Sequence, residues 1–167
     1  MADFINVAES GEFVRVEIND GTVGANLTYA NVDTAIADTV NTMVVPSLQE
    51  ITINATPGIF RWKQLDTLSE KVVTTASTNN IESTFVLDPV TFFDGKGTTA
   101  GIFDIVNDKT LVSFRMYWQG HATSGDKYIQ GQAYLSALAP TVSPDSPVWT
   151  SPVTLEVVGD FETGATP

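Results

Sequence analysis

From Phe13 onward the chain alternates, with Val14, Val16 and Ile18 falling on one face and Arg15 and Glu17 on the other, the pattern of a half-buried strand. Asn19-Asp20-Gly21 tolerates positive φ, and alternation resumes through Val23, Ala25, Leu27 and Tyr29, so the spacing predicts a hairpin. Between Asp33 and Pro46, Ile36, Val40, Met43 and Val44 fit a helical stripe while the Thr and Val content favours extended chain, which leaves a loop or a short helix. Leu48 to Asn54 and Ile59 to Leu65 read as strands separated by the turn signal Thr56-Pro57-Gly58. Asp66 to Asn80 is rich in Thr, Ser and Asn without a strong apolar period, so it is expected to be a long loop, and long loops inside compact domains are often functional.

Ile81, Phe85 and Leu87 share a face of the next strand, which ends at Asp88-Pro89 because proline cannot donate to a ladder. One short helix is predicted over about 98–107, entered through Gly95-Lys96-Gly97, capped by Thr99 and apolar at Ile102, Phe103 and Val106. Thr110 to Trp118, Tyr128 to Ala137 and Val148 to Val158 complete the strands. Residues 160–167, small and polar, are expected to form a flexible C-terminal arm. About eight antiparallel strands and one helix, with neither a repeat nor a linker, predict a mostly β single domain over 1–167, a β-sandwich or barrel.

Composition narrows the function. With 43% hydrophobic and 17% charged residues the chain is too apolar for disorder. A formal net charge of −12 opposes association with a phosphate backbone. Cysteine is absent, which removes disulfides, thiolate metal sites and a cysteine nucleophile. No basic segment followed by an apolar run opens the sequence, and no stretch has the length and apolarity to cross a bilayer, so neither export nor membrane insertion is expected.

Candidate chemistry is thin. His121, the single histidine, sits in a Gly- and Ser-bearing turn and reads as a solvated loop residue. Gly95-Lys96-Gly97-Thr98-Thr99-Ala100 matches a dinucleotide fingerprint, but the acidic residue required about 20 positions later is missing, as are βαβ units. The pairs Asp88 with Asp94 and Asp104 with Asp108 lack the ligand spacing of a calcium loop. Trp62, Trp118 and Trp149 keep a carbohydrate-binding module as the alternative reading, although buried aromatics are commoner in β cores. No catalytic residue, cofactor site or metal site is identified, so the chain is read as a non-enzyme.

The order of elements carries more. Phe85-Val86-Leu87, the Gly-rich step into a helix from Gly97 to Asn107, the aromatic strand Leu111 to Trp118, Tyr128-Ile129-Gln130-Gly131-Gln132-Ala133-Tyr134-Leu135 and Val153-Thr154-Leu155-Glu156-Val157-Val158-Gly159 together resemble the tail-tube proteins of long-tailed (siphovirus-type) bacteriophages, whose fold is shared with the type VI secretion tube. With another virion or secretion-tube structural protein as a further alternative beside the carbohydrate-binding module, the resemblance implies a structural virion protein, located in the tail and in the host cytoplasm during assembly. Its subunits would polymerise as stacked hexameric rings around a channel through which genomic DNA passes on ejection. It implies partners too: further copies of the chain, a tape measure protein, and terminator and tip proteins, with DNA in transit rather than specifically bound and no membrane. The immunoglobulin-like domain often appended in this family is not seen, which points to a bare tube subunit. By the same resemblance the segment from Asp66 supplies an inter-ring contact loop, with Asp66, Thr67, Leu68, Ser69, Glu70, Lys71, Val72 and Val73 as candidates. Polar positions on the flanking strands, Glu50, Thr52, Glu82 and Thr84, become candidates for the channel lining, since a DNA conduit must not hold phosphate.

Overall fold

Alternation along Leu111–Tyr117 sends Val112, Phe114 and Met116 to one side, and all three are fully buried at the centre of the apolar core. The structure, a computed structural model, describes residues 14–21, 32–45, 48–63, 70–118 and 124–166. Among these, nine strands form: β1 (Arg15–Asn19), β2 (Met43–Val44), β3 (Leu48–Lys63), β4 (Glu70–Val86), β5 (Leu111–Tyr117), β6 (Lys127–Ser136), β7 (Thr141–Ser143), β8 (Ser146–Val157) and β9 (Glu162–Ala165). Every pairing is antiparallel, in the order β2-β1-β5-β6-β8-β4-β3, with β7 beside β8 and β9 beside β6. The expected mostly β antiparallel class is therefore found, as one connected open sheet.

One sheet face is apolar. Val16, Ile18, Ile81, Phe85, Val112, Phe114, Met116, Leu135, Val153 and Leu155 gather there, closed over by Phe92, Ile102 and Ile105. The last two belong to α2 (Ile102–Asp108), and Phe92 to a π-helical turn (Val90–Asp94). Gly131 lies opposite Phe114, and a Cβ there would stand 3.2 Å from the phenyl ring, so glycine leaves the room the ring occupies. Truncating Phe114 to Ala removes that ring and leaves a cavity the sheet cannot collapse, with an expected loss of about 3–5 kcal/mol in chemical denaturation.

Several expectations are corrected. The loop expected over 66–80 is strand from Glu70 onward, continuous with β4, while Asp66 to Ser69 lie outside the described residues. Thr, Ser and Val suit a strand, but Glu70 to Thr78 are exposed on both faces, which erases the apolar period that marks a half-buried strand. Likewise Thr56-Pro57-Gly58 does not divide two strands: β3 runs through it, and the signal is absorbed as a register shift between Thr56 and Gly58. Gly58 is needed there, because a Cβ would fall 2.2 Å from Ala76 O and Thr75 Oγ1.

The C-terminal residues expected to be flexible include β9, which pairs with Lys127 to Gln130 along the stretch of β6 that β8 does not reach. The helix expected over 98–107 starts later, after Gly101, and Thr99 does not cap it. Positive φ at Gly95 and Gly97 turns the chain tightly first, and Thr99 Oγ1 instead lies 3.5 Å from Asp20 Oδ1, whose other oxygen accepts from Ala100 N at 2.9 Å. Two further short helices form beside it. The open choice over Asp33 to Pro46 falls to α1 (Val32–Ala37) followed by β2. The π-helical turn begins where Asp88 Oδ2 accepts from both Thr91 N and Thr91 Oγ1. The hairpin partner Val23 to Tyr29 and His121 lie outside the described residues, and β1 pairs with β2 and β5.

Candidate assembly surfaces

Antiparallel register brings the four channel candidates together as two facing pairs, Glu50 with Thr84 and Thr52 with Glu82. Next to them β8 sets Thr154 opposite Glu82 and Pro152 opposite Thr84, and one row further Asn54, Asn80 and Glu156 line up. Their neighbours in sequence, Ile51, Ile53, Ile81 and Phe85, turn to the core, so this is the outward face of the sheet. Glu50, Thr52, Glu82, Thr84 and Thr154 border a shallow hollow of about 330 Å³. Asn54 Nδ2 donates to Asn80 Oδ1 at 2.8 Å and to Glu82 Oε1 at 3.2 Å, which fixes the polar row. The strand segments building this face, 48–54, 80–86 and 150–156, contain three glutamates and neither Lys nor Arg, so its local field is negative and repels phosphate.

Past Asn54 and Asn80 the β3 and β4 strands leave β8 behind and continue as a two-stranded arm. Sixteen residues of β3 span roughly 50 Å at a strand's rise. Near the arm's outer end Phe60 and Trp62 stack with ring centroids 5.8 Å apart, Val73 sits opposite Phe60, and Lys71 sits opposite Trp62. Ile59, Phe60, Val72 and Val73 are each about half exposed, a grouping of apolar side chains of the kind that marks an interaction surface. Arg61 and Glu70 approach to 3.5 Å, but both are exposed, so this pair contributes at most about 1 kcal/mol. Of the eight contact candidates, Glu70, Lys71, Val72 and Val73 lie on this arm, and Asp66 to Ser69 are outside the described residues. Sequence reasoning missed Ile59, Phe60 and Trp62 as members of the same arm; the cue was their adjacency to the Thr-rich run that pairs with them.

The dinucleotide-like segment has a structural use. Lys96 Nζ donates to the carbonyls of Thr39 and Thr42 at 2.8 and 2.9 Å, and Asn41 Oδ1 accepts from Thr98 N at 2.8 Å. Asn41 also donates to Asp38 Oδ2 at 2.7 Å, and this bond, ahead of backbone bonds and Lys96, holds the Asp38 carboxyl below its ordinary range. A depressed carboxylate pKa stabilises the fold above the ordinary value and that contribution disappears as pH falls through the folded value. Asn41→Ala removes both bonds and is expected to raise the Asp38 pKa toward its ordinary value in an NMR titration and to lower the melting temperature.

Arg115 is fixed on the outward face beside α1: its guanidinium lies 4.1 Å from the Tyr128 ring centroid, donates to Gln130 Oε1 and pairs with Asp33. Burial pushes the neighbouring Tyr117 hydroxyl above its ordinary pKa. Trp118 and Trp149 are about half exposed.

No known protein family matches the sequence, and no curated protein matches it. Solved structures do. The tail of an empty gene transfer agent particle, refined with C6 symmetry, aligns with a TM-score of 0.59 at 10% identity over 95% of this chain and 100% of that one. The virion of the native gene transfer agent gives 0.55 at 11% identity over 95% and 100%. The SPP1 tail tube, solved by solid-state NMR and cryo-EM, gives 0.62 at 12% identity over 93% and 78%. At these identities the likeness shows a shared fold, the one the order of elements had implied.

Proposed function

We propose that this chain is a non-enzymatic structural subunit of a long-tailed phage's tail tube, stacking as hexameric rings around a channel through which DNA passes. The fold shared with tail structures supports this reading. The observation that carries it is the junction of an acidic face free of Lys and Arg with β3, an edge strand that among the described residues pairs only with β4. A 16-residue open edge invites pairing with another chain unless it is covered. A ring covers it with the neighbouring subunit and turns Glu50, Thr52, Glu82 and Thr84 toward the axis, where low basicity lets DNA pass without traps. The arm ending in Glu70 to Val73, together with Asp66 to Ser69, reaches the adjacent ring. Tape measure, terminator and tip proteins are the further partners of such a tube, which assembles in the host cytoplasm and resides in the virion tail.

Because the chain has no cysteine, Thr52→Cys places a single thiol on the acidic face. A bulky polymer-linked maleimide is expected to label it quickly in monomers and not in assembled tubes, while a small maleimide labels both. Equal labelling of tubes and monomers by the bulky reagent puts this face on the outside and refutes the lining.

A further inference from the structure

The π-helical turn and α2 leave an aromatic cluster on the surface. Phe92 is buried and anchors it, with Phe93 against it at 4.7 Å between centroids and Phe103 at 5.9 Å. Phe93, Phe103 and Val90 are 60%, 46% and 57% exposed, an apolar patch larger than scattered surface side chains account for. Asp94 and Asp104 directly follow the two exposed phenylalanines, and both are exposed. Lys96, the lysine nearest Phe93 in sequence, is committed to the carbonyls of Thr39 and Thr42, and Lys109, at the far end of α2, directly follows the exposed Asp108. The patch is thus aromatic and acidic.

The outer arm has the opposite character. Among its described residues Arg61, Lys63 and Lys71 are three of the chain's eight cations, against Glu70 alone, in a chain where acids outnumber bases by twenty to eight. Lys71 sits across from Trp62 on the face that carries the stacked Phe60 and Trp62 and the exposed Val73, while Arg61 and Lys63 fall on the other face of the ribbon, beside Glu70. We infer that the aromatic, basic end of the arm docks on the aromatic, acidic patch formed by Val90, Phe93, Phe103, Asp94 and Asp104 of a second copy of this chain. The inference rests on the tube reading and names the surface that receives the arm. Aromatic anchors covering one another supply affinity, and the opposed charges set register and exclude arm-to-arm or patch-to-patch pairing, where like charges meet. Two different surfaces joined head to tail form a heterologous contact, which propagates instead of closing as a twofold dimer.

The absence of native cysteine makes crosslinking the direct test. In oxidised tubes of Phe60→Cys/Phe103→Cys, a non-reducing gel is expected to show a ladder of covalent multimers, absent from the control pair Phe60→Cys/Val142→Cys. Charge reversal provides the second arm, with folding of every variant checked by its melting curve. Arg61→Glu/Lys71→Glu and Asp94→Lys/Asp104→Lys are each expected to raise the concentration needed for assembly about tenfold or more, and the four changes combined to restore it. Intact tubes of the cysteine pair without a ladder, or a fourfold variant no better than either pair, overturn the docking surface while the tube stands. Failure of the unmodified chain to assemble instead removes the tube reading, and the docking with it.

Discussion

Replacing Pro57 to Ser77 by an Asn-Gly turn that joins the facing residues Thr56 and Thr78 is expected to leave a folded monomer that forms no tubes. Folding survives because the core takes Ile51 and Ile53 from the root of β3 and Ile81 and Phe85 from β4, and takes nothing from the arm. Asn-Gly supplies the positive φ of a two-residue hairpin turn. What disappears are Ile59, Phe60, Val72 and Val73, each worth about 1.5–3 kcal/mol on full burial. Losing even about 4 kcal/mol per contact raises the assembly concentration roughly a thousandfold. Sedimentation measures assembly and thermal melting confirms the fold; a shortened variant that pellets as tubes like the native chain refutes the role of the arm.

The second large effect concerns the channel. Glu50→Lys with Glu82→Lys reverses two charges on a face that has no Lys or Arg of its own, a change of about four charge units per subunit repeated along the whole tube. Each new lysine that meets a phosphate releases counterions, so variant tubes are expected to retain duplex DNA with a steep salt dependence and to slow ejection, while unmodified tubes retain none at near-physiological salt. Exposed substitutions usually change stability by less than about 0.5 kcal/mol, so assembly persists and transport is read separately. Filter retention across a salt series decides the matter: identical behaviour of both tubes removes Glu50 and Glu82 from the lining, and tight binding by the unmodified tube removes the repulsive channel.

What the sequence made legible follows from burial. β5, β6 and β8 are recovered within a residue or two because each has a face pressed on the core, and period two survives wherever one face is dry. The same alternation picked out Glu50, Thr52, Glu82 and Thr84 as outward positions, and register then brought them together, which no spacing along one strand could show. The arm was illegible for the opposite reason: a ribbon exposed on both sides has no apolar rhythm, and Thr-rich strand is indistinguishable from Thr-rich loop until its partner is known. β9 was hidden because its existence depends on how far β8 runs along β6, a tertiary fact. Helix α2 was found but misplaced, since Gly95 and Gly97 spend the preceding residues on turns and Asp20, distant in sequence, takes the Thr99 hydroxyl.

A subunit that is one brick of a hollow polymer reveals itself in electron microscopy of the purified, concentrated chain. Tubes of stacked rings with sixfold rotational symmetry and a stain-filled axial channel are expected. Particles that stay monomeric at every concentration, or filaments with no channel, would contradict the tube role.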